Sequence, residues 1–241
     1  MITSKQNVLI KEIRSLSDKK FRDKLNLYVV EGVKPINEAI ELSLPVRAVI
    51  FTEKAAGSLR LNGVRAELVS DEVLKSVSEE VTPQGALAIV EKPIDEPKEP
   101  KGNCLLLDGV SDPANVGAII RSAAAAGFND VYLTLDCADA YSQKAVRASM
   151  SCVFRVNVMR GELSKLLSVI NRPLVVADMD GVSVFDYKKQ GELCLVIGNE
   201  GHGVSDEVME KSSVKVLIPM ENGVESLNAA VSAGILMYAL K

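Results

Sequence analysis

Tryptophan is absent from this sequence of 241 residues, aromatic residues of all kinds make up 4%, and histidine occurs once, at His202. Scarce aromatics mean cores filled by aliphatic side chains, and they leave little from which to build a surface that stacks unpaired bases. One histidine, with scattered cysteines, argues against a zinc cluster, and no metal is expected. Cys104, Cys137, Cys152 and Cys194 stand far apart among apolar neighbours with no C-x-x-C spacing, the pattern of reduced, buried thiols. The opening, MITSKQNVLIKEIRSL, is interrupted by Lys5, Lys11, Glu12 and Arg14, so it holds neither a signal-peptide core nor a membrane span. A cytoplasmic protein with no membrane partner is expected.

What is present is a globular composition. With 47% hydrophobic and 25% charged residues, the chain can fill one large or two small cores. A net charge of −4 argues against indiscriminate polyanion binding, which needs clustered Lys and Arg. The opening is the exception: Lys5, Lys11, Arg14, Lys19, Lys20, Arg22 and Lys24 face only Glu12, Asp18 and Asp23. A solvated helix face and a phosphate-contacting patch both fit that excess.

The sharpest break in composition is KPIDEPKEPKG, where Pro93, Pro97 and Pro100 interrupt helix and sheet while charges keep the segment in water. It divides the chain into a first domain over 1–93, a linker over 94–102 and a second domain over 103–241. Before it, short helices over about 4–24 precede an alternation: LYVV at 27–30, a helix near 33–43, VRAVIF at 46–51, VRAELV at 64–69, a helix opening at Ser70-Asp71-Glu72, and ALAIV at 86–90. That is a small α/β domain. After it come five apolar strand candidates, CLLLD (104–108), VYLT (131–134), LVVAD (174–178), LCLVIG (193–198) and VKVLIP (214–219), mostly separated by helical stretches. This pattern predicts a parallel sheet covered on both faces.

Ligand sites of open parallel sheets lie at the carboxyl ends of strands, and three of the loops there are unusual. In DGVSDPANVGAIIRSAAAAG (108–127), Pro113 and Gly117 shape a turn into a small-residue helix, Asn115 offers donor and acceptor, and Arg121 falls early in the helix. In LVIGNEGHGVSDEV (195–208), Gly198, Gly201 and Gly203 suit positive φ and close backbone approach, and Ser205 caps the next helix. Val204 stands where a phosphate-binding loop needs Lys, and Asp206 ends the G-x-G-x-x-G series. With Glu200 also repelling pyrophosphate, phosphate cradling is disfavoured and a cationic or polyhydroxyl ligand favoured. In IPMENGVESLNAAVSAGILMYAL (218–240), Asn222-Gly223 makes a turn, Ser226 opens an apolar helix, and Asn228 needs a partner if buried. The face of Ala229, Ala230, Ser232, Ala233 and Gly234 is narrow enough for a close-packed helix or a second subunit. Each loop also has a purely structural reading as a turn, a cap or a packing face.

Together, in this order, the three loops resemble the motifs of the SpoU/TrmH RNA methyltransferases of the SPOUT superfamily. Asn115-x-Gly117-x-x-x-Arg121-Ser122-Ala123 is similar to the first motif, Gly198-x-Glu200-Gly201-x-Gly203 to the second, and Ile218-Pro219-Met220 through Ser226-Leu227-Asn228 to the third. Lys144-Ala145-Val146-Arg147-Ala148-Ser149-Met150 with Phe154-Arg155 resembles a further segment of these enzymes, and Tyr28-Val29-Val30-Glu31-Gly32 resembles the ribosomal-protein-like substrate-binding domain that often precedes the catalytic one.

The resemblance implies an α/β SPOUT domain with a carboxyl-terminal trefoil knot, a homodimer, S-adenosyl-L-methionine as cofactor, and methyl transfer to a ribose 2′-hydroxyl. It favours ribosomal RNA over tRNA because the extra domain is amino-terminal. It assigns Thr134, Gly198, Asn199, Gly201, Ile218, Met220 and Leu227 to the donor pocket, and Arg121, Asn115, Glu200, Ser226 and Asn228 to the catalytic site. Lys5, Lys11, Arg14, Lys19, Lys20 and Arg22 are then the RNA contacts. Arg121 has two open roles, as the base that takes the 2′-proton or as a cation that orients phosphate and stabilises developing alkoxide, since a guanidinium rarely gives up its proton. A tRNA 2′-O-methyltransferase and a non-catalytic RNA-binding assembly factor are the alternatives. A nucleotide-dependent oxidoreductase is disfavoured by the failed dinucleotide fingerprint.

Overall fold

The computed structural model describes residues 1–94 and 96–241; Asp95, which falls in the expected linker, lies outside the described residues. The chain forms two compact units, one of Met1–Pro93 with Tyr141–Phe154, the other of Ile94–Ala140 with Arg155–Lys241.

In the first unit, α1 (Val8–Ser15) and α2 (Lys19–Leu25) lead into β1 (Leu27–Glu31), α3 (Val33–Glu41), β2 (Val46–Phe51), α4 (Glu53–Ala56), β3 (Ala66–Leu68), α5 (Asp71–Lys75) and β4 (Ala86–Glu91). Helix α1 starts where Asn7 Oδ1 accepts the Leu9 N–H at 2.9 Å, and its apolar positions Leu9, Ile10 and Ile13, with Leu16 after it, share one buried face. The sheet runs β1-β4-β2-β3, antiparallel except for the β2–β3 pair. Its core is aliphatic, built on Ile10, Ile13, Leu27, Ile50, Leu87 and Ile89.

The second unit contains β5 (Cys104–Asp108), α6 (Pro113–Ala126) and β6 (Asp130–Thr134). The chain then returns to the first unit for α7 (Gln143–Ala148) before β7 (Asn157–Gly161), α8 (Leu163–Val169), β8 (Leu174–Ser183), β9 (Cys194–Gly198), α9 (Asp206–Glu210), β10 (Val214–Leu217) and α10 (Ala229–Leu240). Six strands pair in the order β10-β8-β9-β5-β6-β7, all parallel. Every residue of β5 and β6 is buried, as expected of strands covered on both faces. Cys104, Cys137 and Cys194 are buried free thiols and Cys152 is half-buried; burial pushes the Cys194 thiol well up.

The structure departs from the sequence reading in three places. Edge strand β7 was not anticipated, because Asn157 and Arg160 break its apolar run. Residues 141–154 belong to the first unit: α7 packs on β1, the Tyr141 ring lies 5.0 Å from that of Tyr28, and Arg147 pairs with Glu80 at 3.2 Å. The proline-rich segment is also less free than a linker, since the Tyr132 hydroxyl donates to Lys98 O at 2.6 Å and Arg172 donates to Pro100 O at 3.1 Å.

Two local features shape the site. Strand β8 pairs with β10 through Val176 and again from Val182, so residues 177–181 leave the ladder. Helix α6 begins with Pro113 in its first turn and Asp112 Oδ1 accepting the Ala114 N–H at 3.0 Å, and it packs against α10.

Candidate active site

A cavity of about 740 Å³ opens at the carboxyl ends of β8, β9 and β10 and the start of α10. Ile197, Leu217, Ile218, Leu227 and Leu236 give it apolar walls, while Asn199, Ser226, Asn228 and Ser232 supply neutral polar groups. Its charged lining residues are Asp178, Glu200 and Glu225; among the described residues no Lys, Arg or His lines it. The segment of β8 that leaves the ladder provides one wall through Ala177, Asp178 and Met179.

The loop after β9 is closed on itself. Asn199 and Gly203 exchange backbone hydrogen bonds of 2.8 and 2.9 Å, and a Cβ on Gly198 would lie 2.3 Å from the Gly203 carbonyl carbon. Gly203 has φ +72°, the left-handed region. Gly198 therefore serves close approach within the loop, while Gly201 has no positive φ and is not among the residues lining the cavity. The Asn199 side chain ties the turn together: Oδ1 accepts the N–H groups of Gly201 and His202 at 2.8 and 3.1 Å, and Nδ2 donates to Gly109 O at 2.7 Å.

A row of side-chain hydrogen bonds crosses the three motif loops. Asn228 Nδ2 donates to Asn115 Oδ1 at 3.0 Å, Asn115 Nδ2 donates to Glu200 Oε1 at 2.8 Å, and Glu200 Oε2 accepts both the N–H and the hydroxyl of Ser111 at 3.2 Å. Partial burial raises the Glu200 carboxyl, but hydrogen bonds from Asn115 and from backbone N–H groups, Ser111 and Asp112 included, outweigh it and hold it below its ordinary value. Asn228 is also the N-cap of α10, its Oδ1 accepting from Ala230 N–H at 2.9 Å and Val231 N–H at 3.4 Å. That cap was expected at Ser226, which lies upstream and lines the cavity.

Of the expected donor-pocket residues, Gly198, Asn199, Ile218, Met220 and Leu227 line the cavity and Thr134 does not. Thr134 is buried at the end of β6, accepting the Gly109 N–H at 2.9 Å, so it supports the loop that Asn199 also holds. Ser205 occupies the N-cap position of α9, but its side chain caps nothing; its N–H donates to Asp108 Oδ2 at 2.7 Å. Arg121 sits past the middle of α6, exposed, outside the cavity lining and with no side-chain partner among the described residues. Sequence reasoning missed Asp178, Ser111 and Glu225. The polar interruption of an apolar strand by Asp178 was the one available signal.

The basic opening divides. Lys5, Lys11 and Lys20 are exposed with no side-chain partner among the described residues, Arg14 reaches Ser76 Oγ at 3.3 Å, and Lys19 pairs with Asp23. Arg22 is 4% exposed, and its Nη1 donates to Leu16 O at 2.7 Å and Ser17 O at 2.8 Å. Its expected RNA contact is corrected: the guanidinium satisfies carbonyls left open where α1 ends.

The chain belongs to the SpoU rRNA methylase family, whose model matches residues 102–238, and residues 7–88 match the MRM3-like substrate binding domain. It is 31% identical over 245 residues to the 23S rRNA (guanosine(2553)-2′-O)-methyltransferase RlmP of Bacillus subtilis, covering 100% of this chain and 98% of that protein. Among solved structures, the AdoMet-bound rRNA methyltransferase from Sinorhizobium meliloti superposes with a TM-score of 0.86 at 27% identity, over 99% of this chain and 95% of that one. The SpoU methyltransferase AviRb from Streptomyces viridochromogenes, in complex with the cofactor AdoMet, gives 0.86 at 28%, over 97% of each.

Proposed function

We propose that this protein methylates a ribose 2′-hydroxyl of ribosomal RNA, with S-adenosylmethionine as donor. The observation that carries the reading is the hydrogen-bonded row from Asn228 through Asn115 and Glu200 to Ser111, which joins all three motif loops at the rim of the cavity.

The cavity fits the donor. Ile197, Ile218 and Leu227 offer apolar walls to adenine, the backbone of the β9 and β10 loops offers amide and carbonyl groups, and the carboxylates suit a sulfonium cation. S-adenosylmethionine supplies an electrophilic methyl group, and its transfer to oxygen calls for no metal. The protein has to hold the 2′-oxygen in line and manage its proton, and positioning alone supplies a large share of such a rate. Ser226, Asn115 and Asn228 orient the ribose; Glu200 anchors the loops that carry them. Arg121 acts on the ribose from α6, as proton acceptor or as the cation that steadies the developing alkoxide, once RNA phosphate and a second subunit surround it.

A homodimer is part of this reading. Helix α10 is apolar on all sides, yet Val231 and Tyr238 on it are 51% and 52% exposed, a surface suited to a second copy. The path from β10 into α10, returning against β9 and α6, is read as the trefoil knot. Among the described residues no helix is long and apolar enough to cross a membrane, and we place the protein in the cytoplasm.

The test is transfer of labelled methyl to total RNA from a strain lacking the gene, followed by nuclease digestion and mass spectrometry. A 2′-O-methylated nucleoside in ribosomal RNA that disappears with Arg121→Ala supports the reading. Label in tRNA would move the substrate. No transfer together with no donor binding would leave an RNA-binding assembly factor.

A further inference from the structure

The following rests on the reading of the cavity as a methyl-donor pocket. Three carboxylates line it, in different situations. Asp178 has Lys215 Nζ at 3.5 Å and accepts the Asp180 N–H at 2.8 Å. Glu200 is engaged on both oxygens by Asn115 and Ser111. Glu225 has no hydrogen bond and no ion pair among the described residues, and no cationic side chain among them lines the wall that it shares.

A carboxylate at a concave, partly apolar wall lowers the local potential, and a positively charged ligand gains from it while a neutral one of the same shape does not. The donor and the product it becomes share adenine, ribose and an amino-acid arm. They differ by one methyl group and one positive charge. A pocket distinguishes ligands that differ by one methyl only weakly, so charge is the stronger handle. We propose that Glu225 is the specificity determinant by which the pocket prefers the sulfonium donor to the neutral thioether product. Lys215 offsets the charge of Asp178, and the hydrogen-bonding capacity of Glu200 is directed to the motif loops, which leaves Glu225 free to act on the ligand. The consequence is a pocket that releases product once the methyl has left.

The test is calorimetric titration of the full chain, wild type, Glu225→Gln and Glu225→Asp, with three ligands: S-adenosylmethionine, S-adenosylhomocysteine, and sinefungin, in which an amine-bearing carbon replaces the methylsulfonium and keeps its charge. For one charge on a solvent-exposed residue of the lining, Glu225→Gln is expected to weaken both cationic ligands by about 3- to 10-fold and the neutral product by less than about 2-fold. Glu225→Asp, which keeps the charge, should retain part of the preference. Equal weakening of all three ligands would overturn the proposal, because Glu225 would then act on a group they share. So would no change in any of them, or a wild type that binds donor and product equally. A wild type that binds none of the three overturns the donor-pocket reading itself, and the proposal with it. Equal Tm for the three proteins confirms that folding is intact.

Discussion

Asn115 Nδ2 lies 2.8 Å from Glu200 Oε1, a single hydrogen bond that ties the start of α6 to the glycine loop after β9, two segments far apart in sequence. Because hydrogen bonds hold the Glu200 carboxyl below its ordinary value, the group is linked to stability. A depressed folded-state value contributes stability that is present above the unfolded value and lost as pH falls through the folded one. The Tm advantage of wild type over Glu200→Gln should therefore hold above the ordinary carboxylate range and fade as pH falls below it. Thermal melts across that range measure it. A difference that grew on acidification would contradict the assigned direction.

Asn228 has two jobs that substitution separates. Asn228→Ala removes the cap of α10 and the donor to Asn115, and should cost about 0.5–2 kcal/mol of stability together with activity. Asn228→Asp keeps an acceptor for the Ala230 and Val231 N–H groups and adds a negative charge at the helix start, but has no hydrogen to give Asn115. It should melt close to wild type and still methylate slowly. Full activity in Asn228→Asp would show that the link to Asn115 is dispensable.

Five of the six strands of the parallel sheet were legible because each is a short apolar run, and the motif loops because Gly, Asn and Pro punctuate them at strand ends. What escaped depends on tertiary partners. The oxygen of Asn228 outcompeted Ser226 for the cap of α10, and nothing in the local pattern ranks the two. Thr134 ends a strand beside the site yet turns its hydroxyl to the Gly109 N–H, a contact between separate loops that no periodicity records. Residues 141–154 carry family-like sequence, but their apolar face is matched to β1, so Tyr141 meets Tyr28 in the first unit.

Gly198→Ala tests the closed loop. The added Cβ would meet the Gly203 carbonyl carbon at 2.3 Å, and the atoms it meets are backbone, which cannot swing aside as a side chain would. The loop must open, at a cost of about 1–3 kcal/mol in stability. Since Gly198, Asn199 and Gly203 line the cavity, donor affinity should fall with it, measured by calorimetry at a temperature where the variant is folded. Unchanged affinity would separate this loop from the donor.

Arg22 and Lys20 are close in sequence and opposite in expected effect. The Arg22 guanidinium is buried and donates to Leu16 O and Ser17 O, so Arg22→Ala strips partners from two carbonyls and should cost about 2–4 kcal/mol, lowering Tm. RNA affinity measured well below that Tm should stay near wild type. Lys20 is exposed and unpaired among the described residues, so Lys20→Glu should leave Tm in place. If Lys20 meets a phosphate, the same change weakens RNA binding most at low salt and reduces the slope of log affinity against log salt by about one. If instead Arg22→Ala alone lowered RNA affinity with no change in Tm, the division of the basic opening into one structural guanidinium and several free ammonium groups would be wrong.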